Sequence, residues 1–183
     1  MNAARIRALS IVGFLVVAAG ALVFYTMHRD TQTNANYSKS CPANQVPITT
    51  KLPNEQDITL KIYNGTKTPG LAENLSERFR HSGFKVEPVN RKKDNRPAIP
   101  VVATISYGPK TVAAAQVVRA YFLMTDSSSD ANMKFSLKNT SPVVAITVGS
   151  GFRQLGAPTE VHQAIAALGT PAAPPGTCAT DAS

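Results

Sequence analysis

The chain has 183 residues, 43% of them hydrophobic, which suffices for one modest domain with appendages. Its formal charge is +8 and its pI about 9.7. Two isolated cysteines and three scattered histidines (His28, His81, His162) argue against a metal site, and no P-loop, dinucleotide fingerprint or zinc spacing is present.

The N-terminus reads as a membrane anchor. Ala8 to Thr26 carries no charged side chain and, as a helix, spans roughly 28 Å, the thickness of a hydrocarbon core. Arg5 and Arg7 precede it, so residues 1–7 are expected in the cytoplasm and everything after about residue 27 outside. The alternative is a cleaved signal peptide with its site at Ala19-Gly20-Ala21; the apolar run continues past that point through Leu22 to Tyr25, longer than a signal core requires. Residues 27–54 are polar, turn-rich and without periodicity, and read as a stalk. A domain is expected over 55–169 and an irregular tail over 170–183.

Within the domain, Ile58, Leu60 and Ile62 alternate with Thr59, Lys61 and Tyr63, the period of a half-buried strand. Asn64-Gly65 ends it, two residues that tolerate positive φ in a tight turn. Thr68-Pro69 supplies an N-cap and a first-turn proline, and Leu71, Leu75 and Phe79 then draw one apolar helical stripe. Gly83 is expected at C′, and a strand follows over Lys85–Asn90. Beyond a basic loop, Pro100–Tyr107 reads as a strand and Lys110–Met124 as a helix opened by Gly108-Pro109. Met133–Lys138 alternates weakly and forms a short strand or extends the next one. Pro142–Val148 is a continuous apolar run and reads as a buried strand. A last helix starts at Pro158 and ends at Gly169. The fold class expected is α+β: a split βαβ (ferredoxin-like) sandwich with helices on one face of a mainly antiparallel sheet, plus an extra C-terminal helix.

Cys41 and Cys178 lie at the two ends of the domain. An even count in an exported chain reads as one disulfide, with two free thiols as the alternative. With Arg5, Arg7 and Arg29 set aside as flanking the anchor, the 19 basic residues fall to 16 against 11 acidic, about +5 for the exported part. The densest patch is Arg91, Lys92 and Lys93 with Arg96 nearby. It is either a solvated loop or a contact for anionic lipid or wall polymer. No aromatic residues interleave it, which makes nucleic acid a poor partner.

The stretch Ile58–Phe84 (ITLKIYNGTKTPGLAENLSERFRHSGF) also resembles the opening of the LytR C-terminal domain family. The likeness extends through the strand-to-helix junction ISYGPKTVAAA (Ile105–Ala115) to VVAITVGSGF (Val143–Phe152). With a single anchor and the two flanking cysteines, the chain is similar, more narrowly, to actinobacterial cell-envelope-integrity proteins. The resemblance implies an extracytoplasmic role in maintaining the envelope, with no defined activity. The catalytic domain that transfers glycopolymers in LytR proteins has no counterpart between anchor and domain, so that activity is not expected.

No nucleophile with a base, and no cofactor site, is evident. Ser150 sits in a Gly-Ser-Gly turn without the surrounding G-x-S-x-G. His81 is read as a surface residue at a helix end, His162 as a packing or surface residue, and Glu73 and Glu77 as a solvated helix face. The helix starts at Thr68–Gly70 and Pro109–Thr111 have free N–H groups, as every helix start does. Two binding readings remain: an anchored, non-catalytic protein that holds an envelope protein or wall component, and a wall-glycan module that uses aromatic residues of the open sheet face, with Tyr63 and Tyr107 as candidates.

Overall fold

The computed structural model describes residues 41–122 and 131–181, which belong to one compact unit spanning 38–183. The expected anchor at 8–26 lies outside the described residues. In chain order the elements are β1 (Val46–Ile48), a 3-10 turn (Glu55–Asp57), β2 (Thr59–Asn64), α1 (Leu71–His81), β3 (Lys85–Val86) and β4 (Ala103–Tyr107). A second 3-10 turn (Pro109–Thr111) leads into α2 (Val112–Ala120), followed by β5 (Asn132–Phe135), β6 (Val143–Val148), α3 (Pro158–Ala167) and β7 (Thr177–Ala179).

The class is α+β, as the alternation of elements implied, but the sheet is not the split βαβ arrangement. Its order is β3-β2-β6-β4-β5, and three of its four pairings are parallel; β4 with β6 is the antiparallel one. Each βαβ unit keeps its two strands adjacent, and the last strand of the sheet is inserted between the units. The residues explain this. Val144, Ile146 and Val148 of β6 are fully buried, so β6 belongs at the centre, hydrogen-bonded on both edges. The two-residue β3 and the polar β5, with Asn132 and Lys134 exposed, suit the sheet's edges. β5 is therefore a strand of its own, paired with β4 rather than prolonging β6.

The alternation in β2 works as read: Leu60 and Ile62 are fully buried beneath the helices, while Thr59, Lys61 and Tyr63 face the other way. Ala72, Leu75 and Phe79 of α1 and Val117 and Val118 of α2 close over that face. Phe79 is the hub. Its ring lies 5.2 Å from Phe84, 5.5 Å from Tyr121 and 6.0 Å from Phe122, so both helices lie on one side of the sheet. Full burial of one such ring contributes about 2–3 kcal/mol.

The turn after β2 departs from expectation in its cause. Neither Asn64 nor Gly65 has positive φ. A Cβ on Gly65 would lie 2.8 Å from both the Thr147 methyl and the Val148 carbonyl, so close approach to β6 is what requires glycine. The buried Asn64 side chain shapes the loop, accepting from Thr66 N (3.0 Å) and Thr66 Oγ1 (2.7 Å) and donating to Thr68 O (2.8 Å). The helix begins later than Thr68-Pro69 suggests, with Gly70 at its N-cap in the left-handed region (φ 77°). Gly83 has φ 96° just past the other end, as expected at C′.

Two segments expected to be irregular are partly ordered. β1 pairs in parallel with β7, and Cys41 is joined to Cys178 across 137 positions with their Cα atoms 5.7 Å apart. Asp181 completes the clamp by accepting from Thr50 N (2.7 Å), Thr50 Oγ1 (2.9 Å), Lys51 N (2.8 Å) and the Thr49 hydroxyl. Burial alone would raise the Asp181 carboxyl, but the hydrogen bonds from Thr49, Thr50 and Lys51 outweigh it and hold the group far below the usual carboxylate range.

Candidate functional site

The basic loop after β3 is anchored at Asp94. Its backbone oxygen accepts from Asn64 N (2.9 Å) and its carboxylate from Asn90 N (2.6 Å), while Arg96 N donates to Asn64 O (2.8 Å). This loop therefore continues the edge of β2 beyond the strand itself, and regular pairing over Lys85–Asn90 stops at Val86. Burial acts to raise Asp94, yet the Asn90 amide and the Lys61 ammonium, 3.1 Å away, keep it below its ordinary value. Of the four cations singled out, Arg91 pairs with Glu73, whose carboxyl is lowered chiefly by that contact. Arg96 stacks over the Tyr63 ring at 4.3 Å, a cation–π contact. Lys92 and Lys93 stand exposed on the turn.

The two candidate aromatics do not share a face. Register pairs Tyr63 with Thr147 and Thr147 with Thr104, all on the side away from the helices. Tyr107 falls on the opposite side with Ile105, is buried, and packs its ring 5.5 Å from Phe135. Burial pushes its hydroxyl pKa up. The single ligand face proposed from Tyr63 and Tyr107 is thus overturned by strand parity: an odd separation along adjacent registers puts them on opposite sides.

The larger concavities among the described residues lie along α1, beyond a small one of about 140 Å³ that Arg91 and Asp94 of the basic loop line with Glu73. A cleft of about 570 Å³ separates the C-terminal end of α1 from α3, bringing together Arg78, His81, Tyr121, Leu155, Val161 and His162. Glu55 also faces it and accepts from the Tyr121 hydroxyl (3.3 Å); burial, then the Glu55 charge, push Tyr121 up to about 12. Ser82 at its edge donates to the Arg78 carbonyl (3.2 Å) and so caps the helix. Arg78 also lines a neighbouring groove of about 270 Å³ with Phe152 and Arg153. Those two residues line the next groove in turn, about 370 Å³, with Lys67 and Ser150 at the carboxyl ends of β2 and β6. The carboxyl ends of adjacent parallel strands are where open α/β sheets form crevices.

The line Lys67, Arg153, Arg78, His81, His162 therefore runs along one side of α1. In the sequence His81 reads as a surface residue and His162 as a packing or surface residue, and nothing singles out Lys67, Arg78 or Arg153. No local pattern marks them; the fold alone brings the loops after β2 and β6 and the end of α1 together. Ser150, singled out only as a turn residue, is held to Ile99 O through its amide (2.9 Å) and hydroxyl (3.2 Å). Among the described residues, no group of three or more His, Cys, Asp or Glu side chains is placed to hold a metal ion.

A family model described as LytR cell envelope-related transcriptional attenuator (LytR_C) matches residues 57–152, more than half of the chain. No curated protein matches the chain. Among solved structures, it is similar to the soluble domain of a conserved hypothetical secreted protein from Mycobacterium marinum. The identity is 15% and the TM-score 0.46, over 66% of this chain and 89% of that one. The matched span begins just before β2 and ends just after β6, so it takes in both βαβ units and the strand between them. The chain belongs to the LytR C-terminal domain family of cell-envelope-related proteins.

Proposed function

We propose that this protein is a non-catalytic, membrane-anchored extracytoplasmic component of the cell envelope that acts by binding a protein or a wall component. In this reading residues 8–26 anchor the chain with its N-terminus in the cytoplasm, and the domain over 55–169 works outside. The observation that carries it is the run of concave surface along α1, lined by cations and hydrogen-bonding groups on a compact domain of an envelope-related family. Such a surface suits recognition, since its shape is set by packed elements rather than by loops alone.

A second reading, a wall-polymer-binding module, draws support from the alignment of Lys67, Arg153 and Arg78 along adjoining grooves, which suits an extended anionic chain. The test is retention of the purified full-length protein on cell-wall sacculi and on solubilised membrane proteins, each at low and high salt. Salt-resistant retention on sacculi favours the module, and retention of specific membrane proteins alone favours the protein-binding role. Retention on neither contradicts both.

A further inference from the structure

We infer that the cleft between α1 and α3 is a binding site for a carboxylate carried on a short apolar body, of the kind a peptide ending in an apolar residue presents. The inference deepens the binding reading above and rests on it only for the claim that the occupant belongs to a partner.

The walls of the cleft differ in chemistry. The Arg78 guanidinium and the His81 ring from the end of α1 and the His162 ring from α3 supply hydrogen-bonding groups, whereas the half-buried Leu155, beside the buried Val161 and Tyr121, supplies the apolar wall. Val161 and Tyr121 are buried parts of the core, so the apolar wall is fixed by packing. Leu155 is half-buried and packs against the same core. The Arg78 Nε donates to Asn74 Oδ1 (3.1 Å), which fixes the guanidinium on the helix. Its remaining N–H donors suffice for a paired contact with a carboxylate. Arg78 and His81 also sit in the last turn of α1, where the helix favours cations, so their placement costs the fold nothing. Among the described residues one carboxylate faces the cleft, Glu55, and it accepts from the Tyr121 hydroxyl at 3.3 Å.

A volume of about 570 Å³ accommodates a short peptide end and falls within the range of small-ligand sites. An apolar body without the anion leaves the cationic wall unused, and an anion without the body leaves the apolar wall wet. Both parts are required, and this is the specificity the site imposes.

The test titrates N-acetyl-leucine, and separately its neutral analogue N-acetyl-leucinamide, into full-length protein in detergent micelles. The readout is the histidine ring NMR signals. The chain has three histidines, so His28 is an internal control for His81 and His162. Expected are saturable shifts of the His81 and His162 signals with N-acetyl-leucine and none with the amide, and binding at least about tenfold weaker in Arg78→Gln, the loss of one charge-assisted contact. If Arg78→Gln does not fold, His162→Gln read through the His81 signal takes its place, with the same loss expected. Absent shifts, equal shifts with both compounds, or unchanged binding in the variant that folds would each overturn the inference. Probe binding without retention of any envelope component would sink the proposed role and leave the site standing. Retention without probe binding would do the reverse.

Discussion

Lys61 and Asp94 meet at 3.1 Å, joining the exposed side of β2 to the turn that carries the basic loop. Their side chains are 17% and 7% exposed, so the contact is largely withdrawn from solvent. Lys61 also donates to Pro88 O (2.9 Å), and Asp94 accepts from Asn90 N (2.6 Å). Removing the carboxylate leaves the Asn90 N–H without its partner and takes from the largely withdrawn Lys61 ammonium its nearer carboxylate, leaving it the Pro88 carbonyl and Glu87 at 3.7 Å. Asp94→Ala should destabilise the domain by about 2–3 kcal/mol, read from denaturant midpoints at neutral pH. A loss under about 0.5 kcal/mol, the surface value, would contradict this account of the loop.

The same carboxylate, with Asp181, sets a pH dependence. Both have folded-state pKa values depressed below the ordinary carboxylate value. Their stabilisation is fully present above the unfolded value of about 3.9 and is lost as pH falls through the folded one. Stability should therefore be level between about pH 5 and 8 and fall below about pH 4. In Asp94→Asn the acid-side slope should be shallower. An unchanged slope in chemical denaturation at pH 3 to 5 would remove Asp94 from the explanation.

The Cys41–Cys178 bond closes a loop of 137 positions. Chain-entropy reasoning assigns such a loop about 5 kcal/mol at the upper end. Reduction, or Cys41→Ser, should lower the melting temperature by roughly 10 °C, and should raise amide exchange first in β1 and β7, which the bond holds together. Equal melting temperatures with and without reductant would show that the β1–β7 pair and Asp181 hold the ends unaided.

Gly65 offers a test of close packing. Alanine there meets the Thr147 methyl and the Val148 carbonyl at 2.8 Å, and the latter is backbone of the central strand. Gly65→Ala should cost about 1–3 kcal/mol through displaced β2–β6 pairing. A neutral substitution would mean that the position does not require glycine and that β6 gives way to the added Cβ.

Tyr63 and Tyr107 should respond differently to truncation. Tyr107→Ala empties a core position beside Phe135 and should cost about 3 kcal/mol, whereas Tyr63→Ala loses chiefly the Arg96 contact, about 0.5–1 kcal/mol. Similar losses in both would contradict the assignment of faces.

Much of the local structure was legible in the residues. The alternation Ile58-Leu60-Ile62 and the stop at Gly83 appear where periodicity and capping put them; of the stripe Leu71-Leu75-Phe79, the last two are buried, while Leu71 is half-buried and Ala72 beside it is the buried residue of the first turn. Strand pairing was not legible, because burial of β6 on both edges follows from its neighbours and an apolar run does not name them. The β1–β7 pair escapes notice for a related reason: three-residue strands, one with Pro47 at its centre and the other following Gly176, carry no periodicity, and only a partner far along the chain makes them strands. The concave surface was hidden most completely. Lys67, Arg78 and Arg153 are ordinary surface cations in sequence; Lys67 precedes α1 along the chain, and the strand order draws the loop after β6, with Arg153, against the same helix.

The measurement closest to the central claim compares full-length protein with the triple variant Lys67→Gln, Arg78→Gln, Arg153→Gln for retention on sacculi and on solubilised membrane proteins. All three positions lie on the surface grooves beside α1, so the fold, checked by an unchanged melting temperature, should survive. The account predicts that the wild-type protein is retained by at least one of the two and that the variant loses most of that retention. Equal retention of both proteins would contradict it and move the working surface away from α1.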